Sequence, residues 1–140
     1  MKILLAVDGS SYTKKMLAYL ATHEAFLNEA ADVTAFTVQS ALPPRARAAV
    51  GKEVVDGYYA DEAAKVLAPV KKFLARHGVA LKTAWKVGPA GETIAKFADA
   101  GHFDLLMMGS HGNSALGNLV MGSVATRVLA NCKVPVLLVR

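Results

Sequence analysis

The residues best suited to chemistry stand in a Gly-x2-Gly-x9-Gly-Ser pattern, Gly109-Ser110-His111-Gly112 followed by Gly122-Ser123. Their types and spacing are those of an anion cradle. Glycine lets a backbone approach a phosphate closely and takes positive φ at no steric cost. Ser123 precedes Val124-Ala125-Thr126-Arg127-Val128-Leu129-Ala130, a stretch of helical character for which it is the expected N-cap. A strand, a glycine-bearing loop and a helix N-terminus in succession present backbone N–H groups to an anion. Singly, Gly109 or Gly112 would be an ordinary tight turn, and Ser123 a plain cap.

The elements that must position this cradle follow from the apolar pattern. Five apolar runs read as strands over Lys2–Val7, Val33–Gln39, Ala80–Val87, Phe103–Met108 and Pro135–Val139. Residues 3–7, 105–108 and 136–139 are continuously apolar, as parallel strands covered on both faces are. Four helical stretches alternate with them. The first starts near Ser10 or Ser11 and places Leu17, Leu20, Ala21 and Leu27 on one stripe, with Met16 flanking. The second carries Ala60, Ala63, Leu67, Val70 and Leu74, with a kink or break expected at Pro69 and a stop at Gly78. The third spans Gly91 to Ala100. The fourth runs from Ser123 to Ala130, with Asn131 a candidate left-handed cap.

Strict strand-helix alternation predicts an α/β fold, a doubly wound parallel sheet of order 3-2-1-4-5 with helices on both faces, in one domain over residues 1–140. The switch point then falls between strands one and four, where ligands bind beyond the carboxyl ends. Asp8-Gly9-Ser10 and Gly109-Ser110-His111-Gly112 meet there. Asp8 could face a ligand or stabilise its own turn. Residues 40–57, with Pro43-Pro44, Arg45, Arg47, Gly51, Lys52 and Gly57, lack periodicity and read as a long surface loop or a flap bringing an arginine to the crevice.

Ile3-Leu4-Leu5-Ala6-Val7-Asp8-Gly9-Ser10, Phe36-Thr37-Val38, Gly88-Pro89-Ala90-Gly91-Glu92-Thr93-Ile94 and Cys132-Lys133-Val134-Pro135-Val136-Leu137-Leu138-Val139, together with the glycine pattern, resemble the universal stress protein family. The glycine pattern is that of the ATP-binding branch, whose fold is adenine nucleotide alpha hydrolase-like. The resemblance implies that Gly109 and Gly112 let the backbone approach ribose and phosphates. Gly122 and Ser123 would donate N–H and hydroxyl groups to the phosphates, and Val38 would face adenine. Asp8 would lie near the adenosine or a phosphate-bound cation, with Ala6, Val7, Met108, His111, Val124 and Ala125 as wall or backbone contacts. The implied ligand is ATP, ADP or AMP, with Mg2+ or Mn2+ as its companion ion and no metal held by the protein itself. Members of that family commonly carry a basic residue where Asn113 stands here and another near Asn118. Arg127 is the cation left to compensate, unless it forms a surface ion pair.

Composition narrows the function classes. The formal charge of +5 comes from scattered basic pairs without interleaved aromatics, which argues against a specific nucleic-acid surface. No apolar run reaches the ~20 residues of a membrane span, and Ile3–Val7 falls short of the ~7–15 of a signal-peptide core, so a cytoplasmic protein is expected. Cys132 is the single cysteine, which excludes an intrachain disulfide and leaves an inert packing role. Neither Gly-x4-Gly-Lys-Ser/Thr nor Gly-x-Ser-x-Gly occurs, and no catalytic residue is assigned. The expected function is a stress-response, adenine-nucleotide-dependent regulatory module with an unidentified protein partner. A dimer acting through protein contacts without nucleotide, and a slow ATP hydrolase, are the alternatives. The apolar edge strand 135–139 predicts a homodimer.

Overall fold

Strand β1 (Lys2–Ala6) is the middle of a five-stranded, all-parallel sheet ordered β3-β2-β1-β4-β5. The computed structural model describes residues 1–112 and 121–140. The other strands are β2 (Asp32–Gln39), β3 (Lys82–Val87), β4 (Leu105–Gly109) and β5 (Val136–Val139). Ile3 stands in register with Val33 on one side and Leu105 on the other. The order is the one expected from the sequence, and the strand ends shift by only one or two residues.

The two-residue period of a strand divides the core into two layers. Ile3, Leu5 and Val7 pack against Met16, Leu17 and Leu20 of α1 (Ser11–Thr22) and Leu67, Val70 and Leu74 of α3 (Lys52–Ala75). Leu4 and Ala6 face the other way, onto Ile94 and Ala98 of α4 (Ala90–Ala100) and Ala125 and Val128 of α5 (Ser123–Asn131). Burial on both sides is why β1 is an unbroken apolar run. In the second layer Phe36 stacks on Phe97 with ring centroids 4.0 Å apart and planes 8° from parallel. Such a pair adds about 0.5–1.5 kcal/mol beyond its area burial.

Several expectations need correction. Residues 40–57 are largely helical: α2 (Pro44–Val50) begins with proline at its first position, and α3 already starts at Lys52. The buried stripe of α3 therefore begins at Val55 and Tyr59, while Ala60 is exposed. Helix α3 continues through Pro69, which lies on the exposed face between the buried anchors Leu67 and Val70. Gly78, at φ +74°, turns the chain after it. Leu27 lies beyond α1, after a 3-10 turn at Glu24–Phe26. Gly122, with extended backbone, is the N-cap of α5, and Ser123 is its first helical residue. Asn131 ends α5 in helical conformation, followed by Cys132 at φ −103°, so there is no left-handed cap.

Candidate functional site

Beyond the carboxyl ends of β1 and β4 a crevice opens, lined by residues of both strand exits. Its floor is Ala6, Val38 and Met108, from three adjacent strands. Ala90 and Ile94 of α4 and Val124 and Ala125 of α5 form a wall. Val7, Asp8, Gly109, His111, Gly112 and Gly122 complete the lining. The crevice opens to solvent and has a cavity volume of about 70 Å³. Of the candidate site residues, all but Ser123 line it. Thr13, Ala90 and Ile94 line it too and had not been singled out.

Asp8 is held by its own turn. Its Oδ1 accepts the Ser10 backbone N–H at 2.9 Å and the Thr13 hydroxyl at 3.0 Å. The Asp8 backbone N–H donates back to Thr13 Oγ1 at 3.2 Å. The turn-stabilising role and a place on the crevice are thus combined in one side chain. The signal for Thr13 was its spacing, five residues after Asp8 across a glycine turn that leads into α1.

The glycines have distinct physical reasons. None of Gly109, Gly112 and Gly122 has positive φ, so left-handed freedom is not what selects them. A Cβ on Gly109 would stand 2.5 Å from Tyr12 Cβ, so this position is glycine because α1 crosses it closely. A Cβ on Gly112 would lie 2.7 Å from Asp8 Oδ2, at the crevice rim. A Cβ on Gly122 would lie 3.1 Å from His111 Cα and 3.2 Å from the Ser110 carbonyl oxygen. That last carbonyl accepts the Gly122 N–H at 2.7 Å. The N–H of Gly122 is therefore spent on bringing the two glycine segments together.

The anion-binding capacity moves one residue on. The first helical backbone bond of α5 is Thr126 N–H to the Gly122 carbonyl, at 3.0 Å. The N–H groups of Ser123, Val124 and Ala125 precede it and have no partner within the helix. With the positive end of the helix dipole they make this end of the crevice attractive to negative charge. Arg127 is committed elsewhere: its Nη1 donates to Glu92 Oε1 of α4 at 2.7 Å. The Glu92 carboxyl is held below its usual range by its own backbone N–H and then by Arg127. Gly91 permits the close crossing of α4 and α5, since a Cβ there would stand 2.5 Å from Arg127 Cβ. Asn113 and Asn118 lie outside the described residues.

Ser110 Oγ and His111 Nδ1 are 2.9 Å apart, but the serine is only 3% exposed and does not line the crevice. The His111 ring lies 4.9 Å from that of Tyr12. Burial raises the Cys132 thiol above its usual pKa, in keeping with a packing role. Among the described residues no group of three or more His, Cys, Asp or Glu side chains could hold a metal ion, and no helix is long and apolar enough to cross a membrane. Chemically the crevice offers an apolar floor, a carboxylate at the rim and, at one end, helix N–H groups that have no partner within the helix.

Known proteins share this fold. The chain is 33% identical to a universal stress protein of Synechocystis sp. over 139 residues, covering 99% of this chain and 42% of that protein. It therefore spans less than half the length of that relative. A universal stress protein of Methanocaldococcus jannaschii is 30% identical over 140 residues, covering 99% of this chain and 81% of the relative. The solved structure of protein MJ0577 superposes with a TM-score of 0.82 at 28% identity, over 99% of this chain and 94% of that one. That of the Archaeoglobus fulgidus universal stress protein in complex with dAMP does so with a TM-score of 0.67 at 24% identity, over 100% and 98%. The universal stress protein family model matches residues 1–140 throughout. With the sheet order, the switch-point crevice and the sequence match in agreement, the chain belongs to the universal stress protein family.

Proposed function

We propose that residues 1–140 form one domain that binds an adenine nucleotide (ATP, ADP or AMP) in the switch-point crevice and acts as a nucleotide-dependent regulatory module of the stress response in the cytoplasm. The observation that carries this reading is the joining of Gly122 to Ser110, which sets the open N-terminus of α5 against an apolar floor. The floor at Val38 and Met108 suits a flat heterocycle, and the N–H groups of Ser123 to Ala125 suit phosphate oxygens. Asp8 at the rim suits a ribose hydroxyl or a Mg2+ or Mn2+ ion brought with the phosphates. The dAMP complex of the Archaeoglobus fulgidus protein supports the choice of an adenine nucleotide.

Regulation is favoured over catalysis because phosphoryl transfer draws on cationic groups at the transferred phosphoryl. Arg127 is paired with Glu92, and the crevice lining contains no lysine or arginine among the described residues. The test is titration of nucleotide-stripped protein with ATP, ADP and AMP. Saturable binding that Gly122→Val abolishes supports the reading. Absence of binding, or a Gly122→Val variant that binds normally, sinks it. Prompt metal-dependent turnover would instead favour the hydrolase.

The same reading includes a homodimer through residues 135–139. Among the described residues strand β5 pairs with β4 alone, and Val136, Leu137 and Leu138 are incompletely buried within one chain. Pairing with a second copy would cover this edge. Sedimentation equilibrium should return a dimer, and deletion of residues 136–140 should yield monomer or aggregate. A soluble dimer surviving that deletion would count against the contact.

A further inference from the structure

The opposite edge of the sheet carries a second open feature. Among the described residues strand β3 pairs with β2 alone, so its outer backbone N–H and C=O groups face away from the sheet. Its α3-facing side chains are Thr83, Trp85 and Val87, of which Trp85 is 39% and Val87 37% exposed. Beside them runs an exposed flank of α3 made of Ala60, Ala64 and Ala68, spaced one helical turn apart. Together they form a trough that follows α3 from Asp56 to Lys71, roughly 22 Å at the helical rise. Small alanines keep it open, and a tryptophan on its wall is an unusual expense of apolar surface on an edge strand.

The charges around the trough select its occupant. Arg47 and Lys52 lie at one end and Lys71 at the other, against the single acid Asp56. None of these three cations belongs to an ion pair among the described residues. We infer that the β3 edge and the alanine flank of α3 form a docking site for an extended segment of another protein, one with alternating apolar side chains and acidic residues at its ends. The segment adds a strand to β3 and lays alternate side chains on Ala60, Ala64 and Ala68 beside Trp85. Its acidic ends meet Arg47 and Lys52 at one end and Lys71 at the other. A second copy docking through the same face is disfavoured as the occupant, because it would set this basic rim of Arg47, Lys52 and Lys71 against its own like.

Trp85 is the only tryptophan of the chain, so its fluorescence reports on this trough alone. The test selects peptides of about a dozen residues from a random display library on the whole protein. The enriched peptide is then synthesised and titrated. The expected peptide alternates apolar residues between Asp or Glu ends, shifts Trp85 emission to the blue, and slows exchange of alternate amides in Lys82–Val87. Ala64→Gln, which obstructs the trough without adding charge, and Lys52→Glu with Lys71→Glu should each weaken it by about tenfold or more. These exposed, helix-compatible changes should leave nucleotide titration and melting temperature unaltered, which separates loss of the site from loss of the fold. Failure to enrich any peptide, enrichment of basic or patternless ones, or equal binding by the variants would overturn the inference. Trp85 emission that instead tracks self-association of the protein would assign the trough to a second copy, and would overturn it too.

Discussion

Thr13 and Asp8 are bonded to each other twice, the Thr13 hydroxyl donating to Asp8 Oδ1 at 3.0 Å and accepting from the Asp8 backbone N–H at 3.2 Å. Thr13 is 7% exposed, so neither bond is readily replaced by water. Thr13→Val keeps the shape and removes both. We expect it to cost about 1–3 kcal/mol in denaturant unfolding, the scale for leaving a buried polar group unsatisfied. Nucleotide affinity should fall with it, because Oδ1 loses one of the donors that orient the carboxylate. Unchanged stability would mean that these two bonds do not hold the turn.

Gly109 and Gly112 should respond differently to the same substitution. Gly109→Ala drives a Cβ into Tyr12 Cβ, which even Tyr12→Ala retains, so the second change should give no rescue. The expected loss is about 1–3 kcal/mol, as for other overpacked sites. Gly112→Ala meets the end of the Asp8 side chain instead. Its stability cost should be smaller and should be relieved by Asp8→Ala. Thermal melts of the four single and two double variants decide the matter, and rescue of Gly109→Ala by Tyr12→Ala would refute the packing account.

These differences mark what a sequence can carry. Residues 3–7 and 105–108 declare themselves as strands because burial on both faces leaves no polar position to confuse the period. The start of α3 is harder, because Gly51 and Gly57 look like loop punctuation. Gly57 sits on an exposed face, where its cost against alanine is only about 1 kcal/mol, and the buried Val55 and Tyr59 outweigh it. Those two residues continue the spacing of Ala63, Leu67, Val70 and Leu74 backwards, and they were the available signal. At the crevice, the glycine pattern locates the lining, yet it does not reveal that Gly122 spends its N–H on Ser110 or that Gly109 is demanded by Tyr12. Both depend on how close two distant segments come, which spacing along a chain does not encode. The commitment of Arg127 to Glu92 is of the same kind, since 35 positions separate them.

The Glu92–Arg127 bridge should titrate with a definite sign. The folded-state pKa of Glu92 is depressed, so its contribution to stability is present above the unfolded value and is lost as pH falls through the folded one. Carbon-detected NMR should place the Glu92 carboxyl below an unperturbed glutamate, and Arg127→Gln should move it back only in part. Its own backbone N–H, the larger cause, remains. Full return to the ordinary value in Arg127→Gln would show that the arginine acts alone. The bridge is exposed, so its melting-temperature effect should be small and should shrink with added salt.

Cys132 tests the quiet end of the molecule. Burial raises its pKa first, and the neighbouring Asp99 carboxylate acts in the same direction, against a backbone hydrogen bond at Val134 that lowers it. The thiolate is the reactive form, so at neutral pH the protein holds less of it than a free cysteine does. Alkylation by iodoacetamide should be slower than that of a cysteine peptide, and should accelerate as pH rises towards the raised pKa. Asp99→Asn should speed it, because the charge that opposes ionisation is gone. The same change weakens the bond from the Lys133 N–H to Asp99 Oδ1, now 3.0 Å, so a melt must accompany the rate. Faster alkylation with an unchanged melting temperature would isolate the electrostatic effect, and a native thiol as reactive as the peptide would remove the case for an inert packing role.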